Sequence, residues 1–322
     1  MLVVGDLILD EYIWGKVERI SPEAPVPVVW ANKMTHVPGG AANVANNIRS
    51  YGAKAFLAGV IGNDKNAGIL AASLKKSGID IKGISVIDNR CTTVKTRIIA
   101  GHQQIVRVDW EHTEPLIIEE TRKIFNFIKK NINNFDAIII EDYGKGVINA
   151  SLLEGLILLA QANRKIILVD PKEDHFQYYR GVTAITPNRR ELENAVRNLK
   201  IKDKKNRLKL DSDRLFTDTD IDLAAGQILE YLGVESLLAT LGENGMKLFE
   251  KGKRVVHIPT VAQEVFDVSG AGDTVIATFA LSLAVGATKL EAAHIANYAA
   301  GIVVGKVGTA TTSQDELLKG LG

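Results

Sequence analysis

With a single cysteine, Cys91, among 322 residues, the chain can form no disulfide within itself, which favours a reducing compartment. No histidine-rich constellation surrounds that cysteine in the sequence, so it reads as a small strand residue rather than a nucleophile. Charge of one sign is also missing. The 39 Lys and Arg residues nearly balance 38 Asp and Glu, for a formal net charge of +1. That excludes a surface built throughout to grip nucleic acid or anionic lipid, and leaves room only for a local basic pocket. No apolar run reaches the roughly 18 to 20 residues of a membrane span. The longest candidate, Val275 to Ala287, is Ala-rich, contains Thr278 and Ser282, and reads as a buried helix. The apolar start at Met1 to Val4 has no basic flank and runs into Gly5-Asp6, as a strand does and a signal peptide does not. What remains, 46% apolar and 24% charged, is the composition of a soluble globular protein with a core too large to need staples.

Short apolar runs at 2–4, 55–60, 137–140, 165–169, 183–185 and 236–239 read as buried parallel strands. Between them lie helical patterns at 41–51, 67–76, 119–131, 151–162, 189–199 and 221–232. The alternation predicts an α/β fold with a doubly wound parallel sheet in a single domain over 1–322. Two stretches break the rhythm. Residues 12–36 carry Pro22, Pro25 and Pro27 and alternate through Val26, Val28 and Trp30. Residues 92–111 alternate through Val94, Thr96 and Ile98, turn at Gly101-His102, and alternate again through Ile105, Arg107 and Asp109. Together they predict a small projecting β-sheet lid. The polar stretch 200–220 reads as a solvated surface excursion.

Chemistry gathers in five places. Asp267-Val268-Ser269-Gly270-Ala271-Gly272-Asp273-Thr274 precedes an apolar helix. Small residues there let the backbone amides of Gly270, Ala271 and Gly272 close on a phosphoryl group, and Asp273 in the same turn can take a proton from a neighbouring hydroxyl. Pro38-Gly39-Gly40-Ala41-Ala42-Asn43 opens a second helix, where a hydroxylated ligand can lie on backbone with Asn43 one turn on. Asp6 and Asp10 flank the carboxyl end of the first strand, the ligand edge of an open α/β sheet, although Asp6 reads equally as a turn or cap residue. Asn188 and Glu191 are three apart after a strand and can hold a hydrated Mg²⁺ beside nucleotide phosphates, or simply form a capping box. Thr240 to Gly245 is a Gly-rich turn fit either for a nucleotide or for a hairpin. The histidines show no metal-ligand spacing, and no G-x-G-x-x-G follows the first strand, which disfavours a dinucleotide-dependent dehydrogenase.

Taken together, these motifs resemble the ribokinase-like (PfkB) family of sugar kinases over essentially the whole chain. The Gly39-Gly40 motif, the 267–274 motif and Asn188-x-x-Glu191 match that family's signatures in order. The segments 19–28, 38–45, 103–107 (Gln-Gln-Ile-Val-Arg), 142–146 (Asp-Tyr-Gly-Lys-Gly) and 170–172 (Asp-Pro-Lys) are similar to the heptose 7-phosphate kinase subgroup. Two residues depart from that subgroup's pattern: Ser269, where Thr is common, and Glu141, where a small residue is usual.

The resemblance implies ATP-dependent phosphorylation of D-glycero-β-D-manno-heptose 7-phosphate at O1, on the bacterial cytoplasmic route to ADP-heptose and lipopolysaccharide core. It makes Asp273 the base and Gly270, Ala271 and Gly272 its anion hole. Mg²⁺ is then organised by Asn188 and Glu191 through water. The nucleotide is expected beside Asn188, Arg189, Arg190, Glu191, Thr240, Gly242, Asn297 and Gly301. The sugar is expected beside Asp10, Gly39, Gly40, Asn43 and Asp142, with Arg107, Lys145 and Lys172 as cations for its phosphate. A lid sheet with one apolar face predicts a homodimer joined lid to lid. The kinase pattern is complete shortly before Gly322, so the adenylyltransferase often fused to that subgroup is not expected in this chain. The alternatives are a PfkB-type kinase of another sugar or sugar phosphate, and a non-catalytic binding protein of the same fold.

Overall fold

The computed structural model describes residues 1–321 apart from 102, 203–207, 209–213, 216, 263–264 and 307. In chain order the elements are β1 (Leu2–Gly5), β2 (Leu7–Ile20), β3 (Pro27–Gly40), α1 (Ala41–Ser50), β4 (Phe56–Gly62), α2 (Lys65–Lys76), β5 (Asp80–Ile87), β6 (Thr93–Ala100), β7 (Gln103–Trp110), α3 (Ile118–Asn131), β8 (Ala137–Glu141) and α4 (Ala150–Ala162). There follow β9 (Ile166–Asp170), β10 (Ala184–Ile185), α5 (Arg189–Lys202), α6 (Asp218–Leu232), β11 (Ser236–Thr240), β12 (Met246–Glu250), β13 (Val256–Ile258), α7 (Ala271–Ala284), α8 (Lys289–Val304) and α9 (Gln314–Leu321).

Nine strands form the main sheet in the order β13-β12-β11-β10-β9-β8-β1-β4-β5. Pairing is parallel from β5 to β11, and β12 and β13 close one edge antiparallel. Successive residues of a central strand face opposite layers. Leu2, Val4, Ile138 and Ile140 pack toward α3, α4, α5 and α6. Val3, Ala137, Ile139 and Leu168 pack toward α1, α2, α7 and α8. Both faces are therefore covered, which is why these strands are continuous apolar runs.

The second sheet has the order β3-β2-β6-β7. Its strands continue past the main sheet and carry different chemistry on their two faces. Across one face, register aligns Val37, Asp10, Lys95 and Asp109, then Thr35, Tyr12, Arg97 and Arg107. Across the other it aligns Met34, Ile13, Ile98 and Val106. The turn residue His102 lies outside the described residues, as does much of the 200–220 stretch. That stretch is not solvated throughout: Leu208 and Leu215 are buried in the core beside α5 and α6.

Asp6 joins the two sheets. Its backbone carbonyl accepts from Ala41 N, and its carboxylate accepts from the amides of Tyr143 (2.9 Å), Lys145 (3.0 Å) and Val147 (3.2 Å). It is an anchor for the loop after β8, as its turn-or-cap reading allowed, and its oxygens are occupied. Burial pushes its carboxyl up to about 6 against the effect of these bonds. Asp6→Ala should cost roughly 2–4 kcal/mol, because three amide donors lose a charged acceptor. Urea unfolding of parent and variant measures it, and a loss under about 1 kcal/mol contradicts the anchoring role.

Candidate active site

The site forms where α7 begins against the carboxyl edge of the sheet. Gly270, the residue before the helix, adopts φ +79°, and a Cβ there would lie 2.8 Å from Asn43 Nδ2. Only glycine suits both demands. No side chain caps the helix. The Ala271 amide bonds Val268 O, so Gly272 and Asp273 are left to offer first-turn amides to an anion.

Asp273 is buried, with both oxygens held. Asn43 Nδ2 donates to one at 2.7 Å and the Tyr143 hydroxyl donates to the other at 2.9 Å. Asn47 supports Asn43 through its carbonyl and accepts from the Thr274 hydroxyl at 3.1 Å. Burial pushes the Asp273 carboxyl up to about 6 against these bonds, with Asp10 adding to the rise and Lys95 opposing it. A carboxylate so placed is ionised at neutral pH and still basic enough to accept a proton.

Two cavities meet at Gly272. The smaller, about 310 Å³, is lined among others by Tyr143, Asp170, Lys172, Glu191 and Asp273. The larger, about 680 Å³, is bounded by Thr240, Gly242, Val268, Asn297 and Gly301, with Asn188 and Thr240 shared between the two. Gly301 lies against Val261 and Ala262, where a Cβ would come within 2.7 Å of Val261 Cγ2. Asn297 donates to Pro259 O at 2.7 Å, so its side chain fixes the wall.

Asn188 and Glu191 make the capping box, each backbone amide bonding the other's side chain at 2.8 and 2.9 Å. Both also line the smaller cavity. Glu191 is pushed up to about 8 by burial and by the Asp170 charge. Arg189 turns away to pair with the Leu215 carbonyl and Glu193, which corrects its expected place beside a nucleotide. Arg190 is exposed and lines neither cavity. The donors around Asp170, Thr186 and Glu191 are all oxygen, the set Mg²⁺ takes.

On the other side, Asp10 pairs with Arg97 beneath the lid. A Cβ on Gly39 would fall 2.3 Å from Asp10 Oδ2, so this glycine makes room for that carboxylate. Gly40 ends β3 where Asn43 enters the site. Asp142 borders the smaller cavity, but its carboxylate accepts from Gly144 N at 3.0 Å and the Tyr179 hydroxyl at 2.7 Å and lies 2.7 Å from His175 Nδ1. The three expected phosphate-binding cations each carry an acidic partner: Arg107 with Asp109, Lys145 with Glu111, Lys172 with Glu173. Motif reading missed Lys95 and Arg97, although their alternation with Arg107's strand was the available signal. Lys95 is half-buried over the Tyr143 ring, 4.8 Å from its centroid. Burial lowers its pKa; Asp10 opposes that, and the like charges of Lys145, Arg107 and Arg97 add to it. Tyr143, Glu141 and Asp170 were likewise not singled out for the base. Cys91 does meet one histidine, with His112 Nδ1 at 3.3 Å from its sulfur, but burial pushes the thiol up, away from the reactive thiolate.

Residues 1–316 match the family described as pfkB family carbohydrate kinase. The chain is 44% identical over 317 residues to the bifunctional protein HldE of Desulfatibacillum aliphaticivorans, covering 98% of the chain and 62% of that protein. It is 45% identical to the protein of the same name from Helicobacter pylori strain J99, covering 98% of the chain and 65% of that protein. The chain thus spans a little under two thirds of the length of these relatives. Among solved structures, ribokinase from Arabidopsis thaliana, complexed with ribose and ATP, superposes with TM-score 0.73 at 19% identity, covering 99% of this chain and 97% of that one. Phosphofructokinase-2 from Escherichia coli superposes with TM-score 0.76 at 16% identity and the same coverage. These two likenesses speak for the fold.

Proposed function

The chain belongs to the pfkB family of carbohydrate kinases, and from that premise we propose that it transfers the terminal phosphoryl group of ATP to O1 of D-glycero-β-D-manno-heptose 7-phosphate. The product would be the 1,7-bisphosphate, a precursor toward ADP-heptose. The observation that carries the choice of acceptor is the group of cations on the lid face above Asp273. Arg97 and Arg107 on the lid and Lys145 on the loop after β8 all act electrostatically on Lys95, and Lys95 has no ion-pair partner among the described residues. A half-buried ammonium surrounded by like charges suits a dianionic group better than a neutral sugar.

In this reading ATP lies in the larger cavity, along Thr240, Gly242, Asn297 and Gly301, with its terminal phosphate toward Gly272. The amides at the start of α7 hold the charge that builds on the phosphoryl group in flight. Asp273 takes the proton of the anomeric hydroxyl, the sugar's most acidic, while Asn43 and Tyr143 fix the carboxylate's direction. Asp10, Gly39 and Asn43 border the sugar. Mg²⁺, when bound, neutralises phosphate charge, and Glu191 and Asn188 would hold it through water, since Glu191 commits only one oxygen to the cap.

The homodimer is proposed on the outer lid face. Its Met34–Ile13–Ile98–Val106 row is apolar, and Trp110, four residues along β7 from Val106 on the same face, is 62% exposed. A second copy of this face is the simplest cover. Sedimentation should show a dimer at micromolar concentration that Ile13→Lys dissociates; a parent protein that stays monomeric contradicts this.

ADP release measured across a panel of sugars and sugar phosphates tests the acceptor, with heptose 7-phosphate far ahead of free heptose. Asp273→Asn should lower turnover by about 10²- to 10⁴-fold with ATP affinity nearly unchanged. Lys95→Ala should raise KM for the heptose phosphate roughly 10- to 100-fold, the scale of a lost bond to a charged group, and leave KM for ATP alone. Equal use of free heptose would instead favour a kinase of another sugar.

A further inference from the structure

Arg90 lies half-buried in the turn between β5 and β6, away from both cavities, and spends its guanidinium on backbone. It donates to the carbonyl oxygens of His112 at 3.1 Å and Glu114 at 3.2 Å, and to that of Lys145. No carboxylate pairs with it among the described residues. A planar fork of five N–H donors can hold several carbonyls at once in fixed directions, which the single ammonium of a lysine cannot.

The three carbonyls come from two segments. His112 and Glu114 follow β7, and Lys145 belongs to the loop after β8. Leu116 N donates to Gly146 O at 3.0 Å, so the same two segments meet again one residue on. Gly146 makes the approach possible. It has φ +85°, and a Cβ there would collide with Glu114 O and lie 2.8 Å from Arg90 Nη2. Lys145 is thereby gripped in three ways: its amide by Asp6 at 3.0 Å, its carbonyl by Arg90, and its ammonium by Glu111 at 2.7 Å.

This loop aims the base, because Tyr143, two residues before Lys145, donates to Asp273. Arg90 also stands three residues before β6, the strand of Lys95 and Arg97, while its other two carbonyls follow the strand of Arg107. It therefore closes the root of the β6–β7 hairpin and, through Lys145, fastens that root to the loop below. Lys95 over the Tyr143 ring is a second contact between the same hairpin and the same loop. Glu114 is exposed and Lys145 half-buried, so water can take up these carbonyls if the guanidinium is removed. What the chain loses then is the direction of the loop rather than its fold.

We propose that Arg90 is a positioning residue for phosphoryl transfer. It sets the Tyr143 loop, and hence the Asp273 carboxylate, in register with the cation-bearing hairpin of the lid. The proposal rests on the reading of Asp273 as the base, and it requires no particular sugar.

Two measurements test it. Hydrogen exchange needs no acceptor: in Arg90→Ala, residues 143–147 should exchange at least tenfold faster than in the parent, while β8 keeps its protection. Kinetics are then measured on whichever sugar phosphate the parent uses best. Arg90→Ala should lower kcat about tenfold or more and leave KM for ATP within about twofold. Tyr143→Phe should also lower kcat in the parent, but cost less than about threefold when added to Arg90→Ala, because the loop it acts through is already loose. Guanidinium ion at millimolar concentration should restore part of the turnover of Arg90→Ala and none of that of the double variant. Should Arg90→Ala fail to fold, Arg90→Lys, which keeps the charge and loses the fork, carries the same expectations for exchange and kcat. Unchanged exchange at 143–147, a kcat within twofold of the parent, or costs of Arg90→Ala and Tyr143→Phe that simply multiply would each overturn the proposal. If Asp273→Asn instead keeps its turnover, the base assignment fails by itself, and the exchange measurement still decides whether Arg90 holds the loop.

Discussion

Two hydrogen bonds organise this molecule: Asn43 and Tyr143, each donating to one oxygen of Asp273. They join residues 230 and 130 positions apart in the chain and so tie the start of α1, the loop after β8 and the start of α7 to one carboxylate. Each partner is itself held. Asn43 rests on Asn47, and the Tyr143 loop hangs from Asp6 by three amide bonds. The same loop is stitched on its far side by Asp142, which bonds Gly144 and Tyr179 and meets His175. Buried polar groups of this kind are costly unless satisfied, and here satisfaction and precise placement of the base come from the same bonds.

A second constraint is electrostatic. The sheet's carboxyl edge concentrates acids on the α7 layer, while the lid brings cations down from above. Asp10 and Arg97 sit at the boundary between the two. The lid's alternation separates these roles cleanly, because register puts Lys95, Arg97 and Arg107 on the face that holds Asp10 and puts Ile13, Ile98 and Val106 on the other. One strand pattern thereby provides both a charged ceiling for the site and an apolar exterior.

Much of this was legible in the chain before any coordinates. Apolar runs located six of the seven parallel strands to within a residue or two, because strands buried on both faces leave no other pattern; β5 at the sheet edge, mostly half-exposed, was not read. The lid was visible as a change of period from continuous to alternating. Short edge elements such as β13 carried too few residues to register, and the burial of Leu208 and Leu215 was hidden by the polar residues around them. In the site, glycines and the residues next to them stood out because close approach demands them: Gly39, Gly270, Gly272 and, beside them, Asp273. The residues that surround the base did not. Tyr143, Glu141, Asp170 and Lys95 lie in ordinary strand ends and loops, and only the register of distant strands brings them together. Arg189 shows the converse error, since adjacency to Asn188 in sequence says nothing of which side of a helix start a long side chain takes.

The central claim is that Asp273 is the proton acceptor, and the pH dependence of kcat/KM for the sugar phosphate between pH 5 and 8 tests it most directly. Burial holds this carboxyl at about 6. The base acts when ionised, so kcat/KM should be level above that value and fall about tenfold per pH unit below it. A profile that stays flat down to pH 5, with the protein still folded, contradicts the assignment.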